Sequence, residues 1–277
     1  MAYRERLNRH LENYRVNRLG ISETGSYRHR NEDIPYAHIL PLRLKHLNLL
    51  EGVRNDVLRH VEENDLRLHR YFHHLNSSQA FAFNLFFPYF WQRPESAPVL
   101  LRALGQDGSF AKARFEAVPV PDEGTNIDVL WSDSDEKQTL CEVKLSEAEI
   151  GTARSDAEHL AKLTETYLPS LSPHFSADDL DPSKFFRSYQ YYRNVWHMLR
   201  VPKARLVFLL PRQNERVWRK LESLRARTAA SVSERISIIA IEDVLTRLMS
   251  EGSSPRQLQE HAVALAEKYL PTQADIA

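Results

Sequence analysis

Residues 125–147 read TNIDVLWSDSDEKQTLCEVKLSE and place three charged residues inside two short apolar segments. Both segments alternate roughly between apolar and polar residues, and the acidic stretch SDSDEK separates them, so the pattern predicts two β-strands joined by a turn. Because side chains alternate along a strand, Asp128 of the first strand can share a face with Glu142 and Lys144 of the second. The sequence therefore predicts two carboxylates and an ammonium group side by side on a sheet.

Such a cluster needs a compensating interaction. Two carboxylates about 4 Å apart repel each other by ~4 kcal/mol at an effective dielectric of roughly 20. The sequence leaves three compensations open, which are a proton shared by the acids, the ammonium group of Lys144, or a divalent cation. Mg²⁺ is usually held by one or two carboxylates with several retained waters, and it can activate a water and stabilise charge on a phosphate. Lys144 would then orient the attacking water or neutralise the developing charge.

The segments around these two strands complete an α/β pattern. Ser77 and Ser78 are good N-cap residues for an apolar helix that we expect to stop near Pro88. A further short strand, AKARFEAVPV, precedes the two strands, and the apolar runs ARLVFLLP and RISIIAIE alternate with helical segments after them. The order of elements predicts a mixed central sheet with helices on both faces.

An acidic residue on one strand followed by Glu-x-Lys on the next resembles the PD-(D/E)XK nuclease superfamily, over roughly residues 76–245. The resemblance implies a restriction-endonuclease-like α/β core and metal-dependent phosphodiester cleavage of nucleic acid, with Mg²⁺ (or Mn²⁺) as the cofactor. It implies that Asp128 and Glu142 bind the metal and that Lys144 assists the attacking water. The main-chain carbonyl of Val143 is implied as an additional metal ligand.

The same resemblance suggests two more site residues. Glu116 lies on the strand before Asp128 and matches an upstream acid that some members carry, so it is a candidate metal ligand. Gln190, in SYQYYRNVW, lies on the helix after the core strands, where several members place a glutamine near the active site, so it is a candidate catalytic residue. Ile127 stands where the motif usually has proline, which makes the match less specific.

Other interpretations of the same residues stay open. Glu142 and Lys144 also fit an internal ion pair or a solvated strand edge. The chain would then be a catalytically inactive nuclease-like protein that binds nucleic acid or a protein partner. A small-molecule hydrolase that uses the carboxylates as acid and base is a third interpretation, which the position of Lys144 disfavours because an ammonium group suits phosphate chemistry.

Charge is unevenly distributed along a chain whose formal net charge is zero. Residues 116–149 carry ten acidic and two basic residues, whereas residues 203–227 carry eight basic and two acidic residues. A basic flank beside an acidic metal-binding centre suits a phosphodiester substrate, because positive charges bind the backbone. The predicted partner is therefore nucleic acid, with DNA favoured over RNA, and the resemblance adds a homodimer as an option.

Length and composition bound the remaining expectations. The 277 residues suit one large domain or two small ones. We predict a single domain with a basic arm and helical extension (1–75), a core (76–250) and a C-terminal helix (251–277). The single cysteine, Cys141, excludes a disulfide framework and a Cys-rich zinc site. The polar N-terminus and the shortness of the apolar stretch FAFNLFFPYFW predict no signal segment, no membrane span and a cytoplasmic location.

Overall fold

The structure is a computed structural model of the chain. It describes residues 2–30, 32–106, 109–121, 123–252 and 254–271. Asp122, one of the acidic residues counted above, lies outside the described residues, and so do residues 253 and 272–277 of the predicted C-terminal segment.

The chain forms two compact units. The helical unit comprises Met1–Phe110 and Ala240–Ala277, and the sheet unit comprises Ala111–Ile239. The predicted division of the chain at residues 75 and 250 stays a prediction.

Seven strands are formed within the described residues, in two separate sheets. They are β1 Gly25–His29, β2 Glu32–Tyr36, β3 Lys112–Ala117, β4 Ile127–Ser132, β5 Gln138–Val143, β6 Arg205–Leu210 and β7 Ile236–Ala240. Strands β1 and β2 pair with each other as an antiparallel hairpin in the helical unit. The other five form one sheet in the order β3-β4-β5-β6-β7.

The helices occupy the sequence between and around these strands. The α-helices are α1 Tyr3–Asn13, α2 Glu51–Glu63, α3 Ser78–Phe87, α4 Ala97–Ala103, α5 Ala157–Lys162, α6 Leu168–Leu171, α7 Pro182–Phe185, α8 Tyr189–Leu199, α9 Glu215–Ala226, α10 Ala230–Ser233, α11 Ile241–Ser250 and α12 Arg256–Tyr269. The shorter 3₁₀ and π segments are Tyr14–Arg18, Leu42–Asn48, Pro88–Gln92, Pro94–Ser96, Leu163–Tyr167 and Phe186–Ser188.

The five-stranded sheet is mixed, as the sequence predicts. Strand β4 runs antiparallel to both β3 and β5, whereas β5 and β6 are parallel. A parallel pair needs a long crossover connection, and the chain between β5 and β6 supplies it with α5 to α8. The predicted α/β class, with a restriction-endonuclease-like core and a mixed sheet flanked by helices, is confirmed.

Helix α8 is fixed against the sheet by its apolar residues. Tyr191 and Val195 are fully buried in the core of the sheet unit, and the ring of Tyr191 stacks on that of Phe208 on β6 with centroids 5.7 Å apart. Burying a large apolar side chain contributes roughly 1.5–3 kcal/mol, so these contacts set the position of the helix firmly. The adjacent polar residues of α8, Gln190 and Asn194, are thereby held next to Glu142 on β5.

The helical unit contains elements that the sequence predicted and one that it did not. Helix α3 begins after Ser77, whose side-chain oxygen accepts the N–H of Ala80 at 3.3 Å, and it ends before Pro88, as predicted. The β1–β2 hairpin was not predicted, because the arm was expected to be irregular with one short helix. Hairpin residues such as Arg28 and Asp33 are polar, so alternation of apolar residues gave no signal there.

No helix among the described residues has both the length and the apolar composition that crossing a bilayer requires. The predicted cytoplasmic location stays a prediction.

Candidate active site

The charged residues singled out in the sequence meet at one end of β4 and β5. The antiparallel register of these strands, continued by one pair, sets Asp128 opposite Glu142, and opposed residues lie on the same face. Oδ2 of Asp128 accepts a hydrogen bond from the N–H of Val143 at 2.7 Å. Lys144 follows directly, and its own N–H donates to the carbonyl of Leu209 on β6 at 2.9 Å. The sheet therefore brings the three groups together.

A closed set of hydrogen bonds links Glu142, Lys144 and Gln190. Nζ of Lys144 donates to Oε1 of Glu142 at 2.8 Å and to Oε1 of Gln190 at 2.7 Å. Nε2 of Gln190 donates back to Oε1 of Glu142 at 2.6 Å. Glu142 is 2% exposed and Lys144 8%, whereas Asp128 and Gln190 are half-buried. The predicted glutamine thus fixes both the acid and the amine in one geometry.

Asn194 is a site residue that the sequence analysis did not select. It lies one helical turn after Gln190 on α8, and its Nδ2 donates to Oε2 of Glu142 at 3.1 Å. Arg193 in turn donates to Oδ1 of Asn194 at 3.2 and 3.3 Å. The spacing of Gln190 and Asn194 was the available signal, because residues four apart share one helix face.

The carboxylates keep some unused acceptor capacity. Oε1 of Glu142 accepts two hydrogen bonds and Oε2 accepts one, so Oε2 retains a lone pair. Oδ1 of Asp128 accepts no hydrogen bond from any described residue, since the Val143 N–H binds Oδ2. These two atoms are the carboxylate oxygens of the site with acceptor capacity left for a cation.

Glu116 lies beside Asp128 on the neighbouring strand. The β3–β4 register pairs the residues on either side of it, which places Glu116 opposite Asp128. The backbone φ of Glu116 is 47°, in the left-handed region. This conformation is strained for any residue other than glycine, and such strained residues cluster at functional sites. Oε2 of Glu116 accepts a hydrogen bond from Nδ2 of Asn126 at 3.0 Å. The strain and the polar partner hold this acid at the edge of the cluster.

The cluster contains several carboxyl groups but only one ammonium group, that of Lys144, so its negative charge is not fully compensated. Burial raises the pKa of Asp128 well above its usual range, and the charges of Glu142 and Glu116 raise it further. Burial also lowers the pKa of Lys144, but Glu142, Glu147 and Asp128 outweigh burial, so this pKa is raised. Lys144 is therefore a stable cation, and Asp128 remains poorly compensated.

The donor set fits a divalent cation of the magnesium type. Among the residues that the structure describes, no group of three or more His, Cys, Asp and Glu side chains is placed to hold a metal ion. Mg²⁺, however, needs only one or two carboxylates because it keeps several waters. Asp128 and Glu142 provide two carboxylates, each with an oxygen that has an unused lone pair. A cation between them would offset the repulsion that raises the pKa of Asp128. Val143 reaches the cluster through its N–H, and its carbonyl as a ligand stays a prediction.

Gly151 leaves room for the side chain of Gln190. A Cβ on Gly151 would lie 2.6 Å from Oε1 of Gln190 and 2.9 Å from its Cβ, distances that real contacts do not reach. The φ of Gly151 is +110°, which also disfavours any other residue. Its carbonyl accepts the N–H of Gln190 at 3.4 Å. No sequence motif marks this glycine, because the close approach arises only when α8 folds onto the sheet.

A second buried carboxylate, Glu123, lies in the segment before β4 that the sequence indicated only as a turn. Its Oε1 accepts the hydroxyl of Tyr167 at 2.7 Å and Nζ of Lys162 at 3.1 Å. Its Oε2 accepts the N–H of Thr125 at 3.1 Å and bonds Nε2 of His197 at 3.2 Å. Burial opposes ionisation, but these donors lower the pKa of Glu123 overall. The network fastens the segment before Asp128 to α8.

The basic segment 203–227 forms a positively charged surface of the sheet unit. Partial burial lowers the pKa of Lys220 on α9, and the charges of Arg227 and Arg187 lower it further. These three cations therefore lie close enough to repel one another. Some bases of the segment have acidic partners, since Arg216 forms an ion pair with Glu149 and Arg227 forms one with Asp179. A polyanion would relieve the repulsion that remains around Lys220.

Comparison with known proteins identifies a family. A family model described as "Restriction Endonuclease associating with ARP" matches residues 8–270. No curated protein and no solved structure matches the chain. The match supports a restriction-endonuclease family as a whole, and it does not test the PD-(D/E)XK motif or any single residue.

Proposed function

This chain belongs to the family described as restriction endonuclease associating with ARP, and on that basis we propose that it is a metal-dependent nuclease. The proposed reaction is hydrolysis of a phosphodiester bond in nucleic acid. The single observation that carries the proposal is the convergence of Asp128, Glu142 and Lys144 at one end of β4 and β5. Metal-dependent phosphodiester hydrolysis uses carboxylate oxygens that can hold a cation and a positive charge beside them. Each carboxylate here has an oxygen with an unused lone pair, and the amine of Lys144 is protonated.

Asp128 and Glu142 would hold Mg²⁺ or Mn²⁺ through Oδ1 and Oε2 respectively. The bound ion supplies an activated water and stabilises negative charge on the phosphate. Glu116 and the carbonyl of Val143 are predicted as additional ligands. The Val143 N–H orients the carboxylate of Asp128 by occupying Oδ2, which directs Oδ1 into the site.

Lys144 acts in this proposal as a fixed positive charge. Its raised pKa keeps the amine protonated at neutral pH, so it cannot accept a proton from the attacking water. It can neutralise charge that develops on the phosphate and donate a hydrogen bond to the attacking water. Gln190 and Glu142 hold Nζ at 2.7 and 2.8 Å, and this orientation costs no rearrangement during the reaction.

The substrate is proposed to be nucleic acid, with DNA as the first choice. The positively charged surface around Lys220 would bind the phosphate backbone without reading the sequence. The family description names an association with ARP, so we expect this chain to act together with a protein partner of that designation. A homodimer stays a prediction.

One observation favours the alternative of a catalytically inactive, nuclease-like binding protein. Lys144 already forms a buried ion pair with Glu142, and a pair of this kind can persist as a purely structural feature. The two functions differ in whether the cluster binds a metal ion, and that difference can be measured directly.

Cleavage assays test the catalytic proposal. Plasmid, linear duplex and single-stranded substrates are incubated with Mg²⁺ or Mn²⁺, for the wild type and for Lys144→Ala. We expect metal-dependent cleavage that falls at least about a hundredfold in the variant, because a preorganised charge is lost. Cleavage that survives Lys144→Ala would come from another site or a contaminant and would contradict the proposal.

Thermal unfolding separates the two functions. A metal that binds only the folded protein raises the unfolding midpoint, and we expect Mg²⁺ or Mn²⁺ to do so for the wild type. Asp128→Asn should abolish the rise. Asp135→Asn is the matched control, because Asp135 lies in the exposed turn after β4 and its side chain is 73% exposed. A wild-type midpoint that is insensitive to both metals would favour the binding protein.

A further inference from the structure

The helical unit contains an open cleft that the proposed active site does not use. The cleft has a volume of about 570 Å³, within the roughly 300–1,000 Å³ range of ligand sites. We call it the hairpin cleft, because the β1–β2 hairpin lines it together with the segment around Tyr71. The residues that matter for its chemistry are Arg28, Arg43, Arg70, Tyr71 and His73.

A buried arginine holds both ends of the hairpin in place. The side chain of Arg15 donates to the carbonyl of Ala37 at 2.7 Å, after β2. It also donates to the carbonyls of Ile21 and Glu23 at 2.5 and 2.9 Å, before β1. Arg15 is 3% exposed, so these bonds are shielded from water. One wall of the cleft is therefore fixed before any ligand arrives.

The second wall is tied to the first by the backbone. The N–H of Leu40 donates to the carbonyl of His73 at 3.0 Å, which joins the chain after the hairpin to the segment around Tyr71. Gly25, the first residue of β1, lies so close to the backbone of Leu40 that a Cβ on Gly25 would be 2.1 Å from the Leu40 carbonyl oxygen. The N–H of Gly25 donates to the carbonyl of Ile39 at 2.7 Å. The two walls thus form one preorganised site.

Tyr71 and His73 are the aromatic residues of the cleft lining, and both belong to the second wall. The ring of Tyr71 packs against Tyr27 and His74, with centroids 5.2 and 4.9 Å away. The guanidinium of Arg70 lies 5.4 Å from the centroid of the Tyr71 ring. At the rim, Leu42 exposes 65% of its surface, although it is a large apolar side chain. Rings and exposed apolar groups next to cations are what binds an unstacked nucleic-acid base.

The charge of the cleft favours an anion. Arg43 forms an ion pair with Glu23 across the rim. The guanidinium groups of Arg28 and Arg70 form no hydrogen bond or ion pair with any described residue. Asp33, which is paired with Arg28 in the hairpin register, is the remaining acid of the lining. Because no carboxylate is bound to the guanidinium groups of Arg28 and Arg70, both can donate hydrogen bonds to a phosphate.

We propose that the hairpin cleft binds a single-stranded segment of nucleic acid, with phosphates on Arg28 and Arg70 and a base against the wall formed by Tyr71. A single strand fits better than a duplex, because the ring wall contacts base faces only where bases are unstacked. The inference rests on the proposed function for its choice of nucleic acid, and it assigns that function a strand-binding site in the helical unit.

The test measures binding without catalysis. Fluorescence anisotropy follows a labelled single-stranded 12-mer in EDTA, so the outcome does not depend on metal binding or cleavage at Asp128. The double variant Arg28→Gln/Arg70→Gln should weaken binding at least about tenfold and reduce the salt slope by about 0.7 for each lost phosphate contact. Tyr71→Leu should weaken binding by about fivefold or more with the salt slope unchanged.

Two controls keep the result decisive. Tyr71→Phe retains the ring and should keep the wild-type affinity, which separates loss of stacking from loss of folding. Arg256→Gln removes an exposed arginine of the same unit that does not line the cleft, and it should leave binding unchanged. Wild-type affinity in the double variant would overturn the proposal. So would an equal loss of duplex and single-strand binding in the double variant, or binding of free AMP but no 12-mer.

Discussion

Glu142 and Glu123 are two buried carboxylates in the same unit, and they differ in what surrounds them. Their side chains are 3% and 1% exposed, and each accepts a hydrogen bond from a lysine. Both oxygens of Glu123 are occupied by donors, and its pKa is lowered. Glu142 instead faces a second acid, Asp128, whose pKa is raised, and it keeps a lone pair on Oε2.

The difference teaches how to separate a structural acid from a functional one. Burial alone does not distinguish them, since both side chains are almost fully enclosed. Glu123 has donors enough to compensate its charge, so it stabilises the fold. The pair of Glu142 and Asp128 has a single positive charge, Lys144, for two carboxylates, and the fold tolerates this deficit where a cation is expected to bind.

The largest expected effect is on activity at Glu142. Glu142→Gln removes a metal ligand, so we expect cleavage to fall at least about a hundredfold. The free energy of unfolding should change by less than about 1 kcal/mol, because relief of repulsion with Asp128 offsets the lost ion pair with Lys144. Cleavage assays and urea unfolding check the two parts. A variant that retains activity but is strongly destabilised would make Glu142 a structural acid.

The corresponding change at Glu123 should have the opposite profile. Glu123→Gln leaves donors from Lys162 and His197 without an ionised acceptor, so we expect the unfolding free energy to drop by about 3 kcal/mol. Metal-induced stabilisation should persist, because the ligands at Asp128 and Glu142 are unchanged. Urea unfolding with and without Mg²⁺ measures both quantities. If the metal response disappeared while the protein stayed folded, the contrast between the two acids would fail.

A smaller effect is expected at Gly151, which tests how Glu142 is positioned. Gly151→Ala puts a methyl group where Gln190 lies, so we expect about a tenfold loss of activity through displacement of Lys144. Gly105→Ala is the matched control, because Gly105 also has positive φ (64°) but a Cβ there meets nothing within 4 Å. Gly105→Ala should lose about 1 kcal/mol of stability through its positive φ alone, and Gly151→Ala should lose more because of the added clash. Equal activity in the two variants would argue against a role for Gln190.

The smallest expected effect is the loss of folding stability as the pH is lowered. The folded-state pKa of Glu123 is lower than its usual value of 4.5, so as pH falls the unfolded chain binds the proton first. The stability that ionised Glu123 contributes is therefore present above about pH 4.5 and is lost progressively below it. Urea unfolding between pH 7 and 3 should show the wild type approaching Glu123→Gln. A constant gap between the two proteins would contradict the assigned pKa direction.

Much of the sheet unit was predictable because its strands are apolar and its turns are polar. ARLVFLLP became β6 and QTLCEVKL became β5 nearly as expected, since short apolar runs between turn residues have few other stable forms. The stretch between residues 157 and 171 forms helical turns, including α5 and α6, that the sequence analysis did not predict. These short helices lack a long apolar repeat and depend on packing of residues such as Tyr167.

The residues of the candidate site also fall into those that the sequence could predict and those that it could not. Asp128, Glu142 and Lys144 were predictable from alternation along two adjacent strands, which is a local property of the chain. Gly151 and Glu123 were not, because each acts through a partner 39 residues away in sequence, and no pattern within one segment indicates such a contact. Asn194 had a local signal, its spacing of four from Gln190 on α8, but its contact with Glu142 is also distant in sequence.

The sequence by itself determined the order of the strands of the sheet unit, the shared face of the two acids and the amine, and the family of the chain. Only the tertiary structure decided that Gln190 joins Glu142 to Lys144, that Glu123 is fully satisfied, and that the hairpin cleft exists. The physical reason is range. Periodicity and turn chemistry act over a few residues, whereas charge compensation and cleft shape depend on which distant segments the packed core brings into contact.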